Sequence, residues 1–370
     1  MQQIYQVKKP TCRQLAGLTV LLMWLGCEPL VTTFDDIEGV MYYTAANITT
    51  TGVPDSLTVV TWNIKFGAGG LDFWFDCYGE RVLMTEQEVL ENLERVADHI
   101  REMNPDVLLL NEVDISSRRS AYVDQMQYLL DATDLNYGVF ASLWKSQFIP
   151  SDGIGRINMG NAIMSKYELT DGKRIALSQR TDQDALTQYF YLRRNIVTAR
   201  VEAGTNAELY AAVVHTAAFS QDGSKRKHID SFKQVLDDFH ADSALFITGG
   251  DLNTIPPNAV KKDVFDDSIC TDEDFQGDDY KEETGWLIPL YRDYWPAIDT
   301  LIYAGGESEY FTHTTDSNGP FNRKIDYLFT NVDGGWVPDS AKVHVGAMGV
   351  GRERLSDHAS VSAVVVVSGR

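Results

Sequence analysis

Five short polar motifs each follow an apolar run, and this placement constrains the fold more than any other feature of the chain. The motifs are Thr-Trp-Asn-Ile-Lys ending at Lys65, Asn-Glu-Val-Asp ending at Asp114, Val-Val-His-Thr ending at Thr216, Gly-Gly-Asp-Leu-Asn ending at Asn253 and Ser-Asp-His ending at His358. A short apolar run is typical of a buried strand, and a polar residue at its end projects from the edge of the sheet. The motifs therefore predict one crevice where several strands end.

The side chains of these motifs predict phosphoryl chemistry at that crevice. Those expected to converge are Asn63, Glu112, His215, Asp251, Asn253, Asp357 and His358. Hard cations take oxygen ligands, and charged or neutral donors can hold phosphoryl oxygens, so this mixture suits a divalent cation and a phosphate. A serine hydrolase is disfavoured, because adjacent residues of Ser356–His358 point in different directions and the chain has no Gly-x-Ser-x-Gly elbow.

A sixth motif, Lys-Ile-Asp-Tyr-Leu-Phe from Lys324 to Phe329, completes an ordered set. With it, the chain resembles the endonuclease/exonuclease/phosphatase superfamily, which includes pancreatic deoxyribonuclease, abasic-site endonucleases, bacterial sphingomyelinases and inositol-polyphosphate 5-phosphatases. The resemblance covers residues 57–368, and each motif alone would be weak. Two positions depart from the family pattern, which usually has Gln at Asn111 and Leu at Thr216.

The resemblance implies a role for each residue of the crevice. Glu112 would hold Mg²⁺, with Mn²⁺ or Ca²⁺ as alternatives, and Asn63 and Asp357 would lie in or near the metal shell. Asp251 would position or deprotonate the attacking water. Asn253 would hold a phosphoryl oxygen. His358 would contact the phosphoryl group or transfer a proton, and Asp326 would orient it. His215 would supply a second imidazole.

Alternating apolar strands and amphipathic helices, together with the resemblance, predict a four-layer α/β sandwich with two mixed or antiparallel sheets face to face and helices outside. Strands are predicted at 57–62, 107–110, 161–164, 195–201, 209–214, 244–248, 325–329 and 361–367. A helix is predicted over 86–103, where Thr85 and Glu88 form a capping box and Asn104-Pro105 ends it. A second helix is predicted over 224–240 with Phe232 and Leu236 facing inward.

The N-terminus has the charge order and length of an export signal over residues 1–26. Gly26-Cys27 also resembles a bacterial lipoprotein cleavage site, so we expect an exported chain that is either secreted or held at a membrane through lipidated Cys27. An ordinary cleaved signal and an uncleaved anchor remain alternatives. Residues 27–56 read as a tether or irregular lead-in, and residues 57–370 as the catalytic domain. Cys77 and Cys270 could pair in an oxidising compartment.

The charge disfavours a general polyanion binder. Removal of residues 1–26 takes away three basic groups, so the formal net charge falls by three from −21 to −24. Sequence-independent nucleic-acid binding draws most of its affinity from Lys and Arg. The compact basic groups Arg193-Arg194 and Lys225-Arg226-Lys227 are interpreted as solvated surface clusters, although a local basic groove remains an alternative.

Other features are interpreted conservatively. Residues 67–79 carry Phe73, Trp74 and Phe75 beside the Asn63 motif. This aromatic cluster is interpreted either as a lip beside the site or as packed core. The acidic stretch 263–283 is predicted to be a solvated loop. The histidines without motif context are interpreted as structural or surface residues: His99, His228, His240, His313 and His344.

The leading hypothesis is an exported, metal-dependent phosphoesterase that hydrolyses a small-molecule or lipid phosphodiester or phosphomonoester by in-line water attack. A secreted or surface nuclease is the first alternative, since local charge is not visible in one dimension. The second alternative is an inactive binding protein on the same fold. Retention of every catalytic residue type disfavours it, and a metal-dependent phosphodiesterase assay separates it from the others.

Overall fold

A computed structural model describes residues 30–74, 76, 79–265 and 279–367. The predicted export signal with Cys27, the aromatic residue Phe75 and the Cys77–Cys270 pair lie outside the described residues. Within the described residues, no helix combines the length and the apolar character needed to cross a bilayer.

The described chain contains fourteen strands and six α-helices. The strands are β1 Ile37–Gly39, β2 Met41–Thr44, β3 Ser56–Asn63, β4 Val107–Asp114, β5 Tyr137–Ile149, β6 Gly155–Ser165, β7 Leu169–Ala176, β8 Asn195–Val201, β9 Leu209–His215, β10 Leu245–Asp251, β11 Trp295–Pro296, β12 Asp326–Thr330, β13 Lys342–Val343 and β14 Val361–Val366. The helices are α1 Glu86–Met103, α2 Gln125–Ala132, α3 Ala185–Phe190, α4 Ser224–Ala241, α5 Ile288–Asp293 and α6 Thr300–Gly305.

The strands form two seven-stranded sheets. The first has the order β13-β14-β3-β4-β6-β5-β2, and the second has the order β1-β7-β8-β9-β10-β12-β11. Each described sheet has one parallel pair, β3 with β4 and β9 with β10, and its other neighbours are antiparallel. The two sheets are therefore mixed, as predicted.

Strand β3 shows how the layers are built. Its side chains alternate between two apolar cores because successive residues of a strand point to opposite faces. Val60 and Trp62 pack in the core that contains residues of α1 and α2. Leu57 and Val59 pack instead with apolar residues of β9, β10 and β12 in the second sheet. A third core joins the outer face of the second sheet to α4 and α5, which gives the predicted four layers.

The predicted helices are confirmed. In α1, the Thr85 hydroxyl accepts from Glu88 N and the Glu88 carboxylate accepts from Thr85 N, so the capping box is complete. Asn104 ends the helix in the left-handed conformation. Helix α4 buries Phe232 and Leu236 against the second sheet.

The segment expected to be a tether or irregular lead-in contributes strands at its centre. Strand β1 pairs with β7 at the edge of the second sheet, and β2 pairs with β5 at the edge of the first. The chain thus crosses from one sheet to the other within residues 37–44. Burial on these edge strands is slight, so they leave only a weak hydrophobic pattern in the sequence.

Candidate active site

The carboxyl ends of the two parallel pairs meet at one edge of the sandwich, where the predicted site residues lie. In the first sheet, Asn63 of β3 is the register partner of Asn111 of β4. In the second sheet, Asp251 of β10 is flanked by His215 of β9 and Asp326 of β12. Strand register thus places an imidazole and two carboxylates side by side.

Asn63 links the two sheets at the centre of the site. Its Nδ2 lies 3.1 Å from Glu112 Oε1, 3.3 Å from Asp251 Oδ2 and 3.4 Å from His358 Nε2. Its Oδ1 accepts from the backbone N–H of Lys65 at 3.0 Å, which fixes the orientation of the amide. One buried amide therefore contacts two of the predicted carboxylates and one of the predicted imidazoles.

Glu112 projects from an irregular point of β4. The register with β6 shifts between Leu110 and Val113, and Glu112 itself has φ 56°. A bulge re-aims a side chain, and left-handed backbone at a non-glycine residue is a strained conformation that concentrates at functional sites. The carboxylate keeps 22% of its surface exposed, so it is accessible from solvent.

Asp251 is buried among nitrogen donors. Its Oδ2 lies 3.3 Å from His215 Nε2 and 3.7 Å from His358 Nε2, and its Oδ1 accepts from the backbone N–H of Asn253 at 2.9 Å. Burial opposes ionisation, but the two imidazoles outweigh it and lower the pKa of Asp251. Gly250 permits the close approach of β10 to β9, because a Cβ at position 250 would lie 1.9 Å from Val214 O. The carboxylate is therefore held ionised.

His358 and Asp326 form a buried pair. His358 Nδ1 lies 2.9 Å from Asp326 Oδ2, and Trp62 Nε1 donates to the backbone carbonyl of His358 at 2.9 Å. Although burial favours the neutral ring, the carboxylates of Asp326 and Asp251 raise the pKa of His358 to about 10. These carboxylates favour the charged form of the ring, whose Nε2 lies 3.4 Å from Asn63 Nδ2 and 3.7 Å from Asp251 Oδ2.

Asp357 belongs to a neighbouring group. It clusters with His313 and His358 as a potential set of metal ligands, and its Oδ2 lies 3.8 Å from Lys65 Nζ. Lys65 also pairs with Asp76 at 2.7 Å, and Asp76 holds the backbone N–H of Phe73. His313 has no motif context and was predicted to be structural, but the centre of its ring lies 4.3 Å from the centre of the His358 ring.

Asn253 lies directly after the second parallel pair. It adopts φ 46°, and its Nδ2 donates to Thr216 O at 3.1 Å. The hydroxyl of Thr216, one of the two departures from the family pattern, donates to Leu252 O at 2.5 Å. Side-chain contacts thus tie the ends of β9 and β10 together.

Asn111, the other departure, lies in a buried relay of asparagines between the sheets. Its Oδ1 accepts from the backbone N–H of Asp251 at 2.9 Å, and its Nδ2 donates to Asn161 Oδ1 at 2.8 Å. Asn161 Nδ2 donates to Asn195 Oδ1, and Asn195 Nδ2 donates to Ser142 O. All three amides are fully buried, so this relay positions Asp251 from inside the sandwich.

Each of the two basic groups contains one buried residue, whereas Arg226 is partly exposed and Lys227 is exposed. Arg194 is buried, and its Nη1 donates to His215 O at 3.2 Å. Lys225 is buried too, and its Nζ donates to Asn253 O at 2.7 Å and pairs with Glu283. The prediction was wrong for these two residues because each is buried by contacts with distant segments, which local sequence does not reveal.

Other interpretations have mixed outcomes. Phe73 is fully buried against Phe66, as expected of packed core, whereas Trp74 is partly exposed. His228 is structural: its Nδ1 accepts from Ala217 N and its Nε2 donates to Ser178 O. His99 and His344 likewise contact Ser360 and Ser362, and His240 lies at the surface.

The donor set fits a hard divalent cation. Carboxylate oxygens of Glu112 and Asp251 approach the same Asn63 nitrogen, and oxygen ligands of this kind suit Mg²⁺. A further set of close carboxylate and imidazole ligands is formed by Asp251, Asp326 and His358. His215 Nδ1, His313 Nδ1 and Asp326 Oδ1 are buried and have no hydrogen-bond partner among the described residues.

Solved structures share the fold of this chain. Solved structures that are similar to this chain include an endonuclease/exonuclease/phosphatase from Beutenbergia cavernae, with 18% identity, TM-score 0.53 and coverage of 85% of this chain and 72% of the other. The human Nocturnin catalytic domain with bound sulfate has 16% identity, TM-score 0.50 and coverage of 88% and 96%. A functionally unknown conserved protein from Enterococcus faecalis has 15% identity, TM-score 0.50 and coverage of 84% and 100%.

Such low identities establish the fold alone, and the search of curated proteins found no match. The family model described as Endonuclease/Exonuclease/phosphatase family matches residues 60–358, which include all six motifs. This chain belongs to the Endonuclease/Exonuclease/phosphatase family.

Proposed function

We propose that this protein is a divalent-metal-dependent phosphoesterase that hydrolyses a phosphodiester or phosphomonoester of a small molecule or lipid by in-line attack of water. The observation that carries the proposal is the contact of one buried amide, Asn63 Nδ2, with Glu112, Asp251 and His358. Residues from both sheets thus surround one point. Such a set can neutralise phosphoryl charge and activate water at the same place.

Glu112 is the residue best placed to hold the cation, with Asn63 beside it and Asp357 in the adjoining group. When bound, a divalent cation neutralises phosphoryl charge and makes water a better nucleophile. We assign Mg²⁺ because the ligands are oxygens, with Mn²⁺ or Ca²⁺ as alternatives.

Asp251 is the proposed base. Its buried carboxylate is held by the backbone N–H of Asn253 and lies beside the imidazoles of His215 and His358, and these contacts position it to accept a proton from water. The imidazolium of His358, fixed by Asp326, offers Nε2–H to a phosphoryl oxygen. The Asn253 amide carries two hydrogens, and one of them is engaged by Thr216 O, which leaves the other for the phosphoryl group.

The burial and pairing of the basic groups favour a small-molecule or lipid substrate over nucleic acid. Arg194 is buried under His215, and Lys225 is paired with Glu283, so neither forms a surface groove for a phosphate backbone. A nuclease remains the alternative proposal, and salt-sensitive DNA binding would support it. An inactive binding protein is disfavoured by the complete set of site residues.

A substrate panel tests the proposal. DNA, sphingomyelin, inositol phosphates and nucleotides are each incubated with Mg²⁺ and again after chelation. We expect chelator-sensitive release of alcohol or phosphate from a small-molecule or lipid ester. Absence of hydrolysis across the panel with every metal would favour the binding-protein alternative.

Export is part of the proposal and has its own test. If Cys27 is lipidated, the mature chain stays at a membrane face, because acyl chains supply about 0.8 kcal/mol per buried CH₂. Cys27→Ser should then release the protein or block its processing. Unchanged membrane association in this variant would indicate an uncleaved anchor, and an unprocessed cytoplasmic product would contradict export.

A further inference from the structure

His313 is a buried imidazole that the chemistry proposed above does not use. The residue is 9% exposed, and the centre of its ring lies 4.3 Å from the centre of the His358 ring, with 42° between the ring planes. Aromatic rings this close are in direct contact. A second imidazole therefore packs against the one that is proposed to contact the phosphoryl group.

Backbone pairing brings the two rings together. His313 and His358 are partners in an antiparallel bridge. The hydrogen bonds on either side of the pair join the flanking residues: Thr314 N donates to Asp357 O at 3.1 Å, and Ala359 N donates to Thr312 O at 2.7 Å. This pattern makes the two histidines a non-hydrogen-bonded pair, the type in which opposite side chains lie closest. The contact of the rings thus follows from the register of the two segments.

The other edge of the segment that carries His313 is held as well. His313 N donates to Arg323 O, and Asn322 N donates to His313 O, each at 3.0 Å. Thr312 Oγ1, one residue earlier, accepts from Asp326 N at 3.2 Å. Adjacent residues of one segment thus contact both members of the buried histidine–aspartate pair.

The hydrogen bond to Asp326 alone does not fix the plane of the His358 ring. It holds Nδ1 at 2.9 Å from Asp326 Oδ2, but the ring can still turn about the line that joins these two atoms. Such a turn moves Nε2, because Nε2 lies off that line. A ring packed alongside blocks the turn, and a displacement of about 1 Å at a reacting group costs on the order of 10²-fold in rate.

A metal-binding role for His313 is the alternative. His313, Asp357 and His358 each offer a ligand atom within 4.8 Å of the others. Both nitrogens of His358, however, already face other groups: Nδ1 lies 2.9 Å from Asp326 Oδ2, and Nε2 lies 3.7 Å from Asp251 Oδ2. A cation shared by the two histidines would have to displace one of these contacts, so the geometry favours packing.

We propose that His313 is a positioning residue that sets the plane of the His358 ring and so aims Nε2 at the phosphoryl group. The inference rests on the proposed function and adds to its machinery a residue outside the six motifs. His313 touches no substrate and acts only through His358.

Two substitutions test the packing in the full chain. His313→Ala removes the ring, so kcat for a confirmed substrate should fall on the order of 10²-fold while KM stays unchanged. His313→Phe keeps a flat ring and should recover most of that loss. The matched control is His344→Ala, which removes an imidazole that packs against His99 at 5.6 Å, and it should leave kcat unchanged. Native kcat in His313→Ala, or an equal loss in both His313 variants, overturns the proposal.

The His358→Ala background separates positioning from a merely structural role. If His313 acts through the His358 ring, its removal there leaves nothing to position, so His313→Ala should lower the residual kcat of His358→Ala no further. A structural role would add its own loss in this background. A further drop in kcat as large as that seen in the native chain therefore overturns the proposal.

Nuclear magnetic resonance gives a readout that needs no substrate. The proton between His358 Nδ1 and Asp326 is identified, in protein with isotope-labelled histidine, as the signal that is absent from His358→Ala. We expect a sharp signal in the native chain and in His313→Phe, and a broadened or missing signal in His313→Ala, because a loosened ring exchanges this proton with water. An unchanged signal in His313→Ala overturns the proposal.

The two proposals fail in different ways. A chain that hydrolyses no ester with any metal loses the proposed function, while the His358 signal still decides the role of His313. Calorimetric titration of His313→Ala with Mg²⁺ and with Mn²⁺ should match that of the native chain. Weaker binding of either ion would make His313 a metal ligand and overturn the positioning role, and the phosphoesterase proposal would stand.

Discussion

The two sheets contribute to the site in different ways. The first sheet supplies Glu112 from a bulge with left-handed backbone, and its carboxylate is partly exposed. The second sheet supplies Asp251 and Asp326 from regular strand positions, and both are buried. An accessible carboxylate such as that of Glu112 suits the binding of a cation that exchanges with solvent. A buried carboxylate held by imidazoles suits proton transfer, because its environment does not have to rearrange.

The sheets are joined at two points. Asn63 reaches from the first sheet to Asp251 in the second, and Asn111 accepts from the backbone of the same residue. Three functions can therefore be separated by mutation: proton transfer by the second sheet, cation binding by the first, and the contact between the sheets that the buried amides make.

The largest effect is expected in the second sheet. Asp251→Asn should lower kcat by roughly 10²- to 10⁴-fold, because it removes the proposed base, and higher Mg²⁺ should not restore it. Turnover of a confirmed substrate across an Mg²⁺ series measures this. His358→Ala should have a comparable effect and Asp326→Asn a milder one, since the latter only loosens the ring. Near-normal turnover in His358→Ala would contradict the mechanism.

A smaller and rescuable effect is expected in the first sheet. Glu112→Gln should raise the Mg²⁺ concentration needed for half-maximal activity, by at least the roughly 10- to 100-fold that loss of a supporting metal contact produces. Metal titration of activity, with calorimetric Mg²⁺ binding as an activity-independent readout, measures the shift. Thermal unfolding serves as the control for folding. Unchanged activity at limiting Mg²⁺ would show that the ligand assignment is wrong.

Asn111→Ala tests the link between the sheets. It leaves the buried Asp251 N–H and the Asn161 amide without their partner, so we expect a loss of about 1–3 kcal/mol in the free energy of unfolding. Urea unfolding measures it. Asn318→Ala, at an exposed turn, is the matched control. An unchanged urea midpoint for Asn111→Ala would mean that the relay does not hold the sheets together.

The last expected effect concerns the pH dependence of stability and lies outside the catalytic groups. Burial lowers the pKa of His228 to about 4, against 6.5 in the unfolded chain. The unfolded state therefore binds the proton first, so this contribution to stability is complete above about pH 6.5 and is lost as the pH falls towards 4. The maximum is about 3 kcal/mol at 1.36 kcal/mol per pKa unit.

His228→Gln keeps one acceptor and one donor for Ala217 N and Ser178 O but does not titrate. Urea unfolding at pH 4.5 and 7 should show a shallower pH dependence in the variant. His99, whose pKa burial also lowers to about 4, would supply part of the slope that remains. An identical slope in both proteins would indicate that His228 is not held neutral in the folded state.

Local patterns were sufficient for the elements whose signals lie within the element itself. The capping box and the apolar face of α1 predict its ends, and the apolar runs predict β3, β4, β8 and β9. Strand β7 was missed because Asp171-Gly172 interrupts its pattern, and β5 because it is bent by two register shifts. The edge strands β1 and β2 were missed because pairing, rather than burial, defines them.

For the site, the sequence by itself determined which chemical groups are available and their order along the chain. Polar residues at strand ends signal a crevice irrespective of their partners, so Asn63, Glu112, Asp251 and His358 could be named in advance. Only the tertiary structure decided that Asn63 lies between them, that His313 packs on His358, and that Arg194 and Lys225 are buried. Charge and burial of a side chain depend on what distant segments place around it, and that information is not local to any motif.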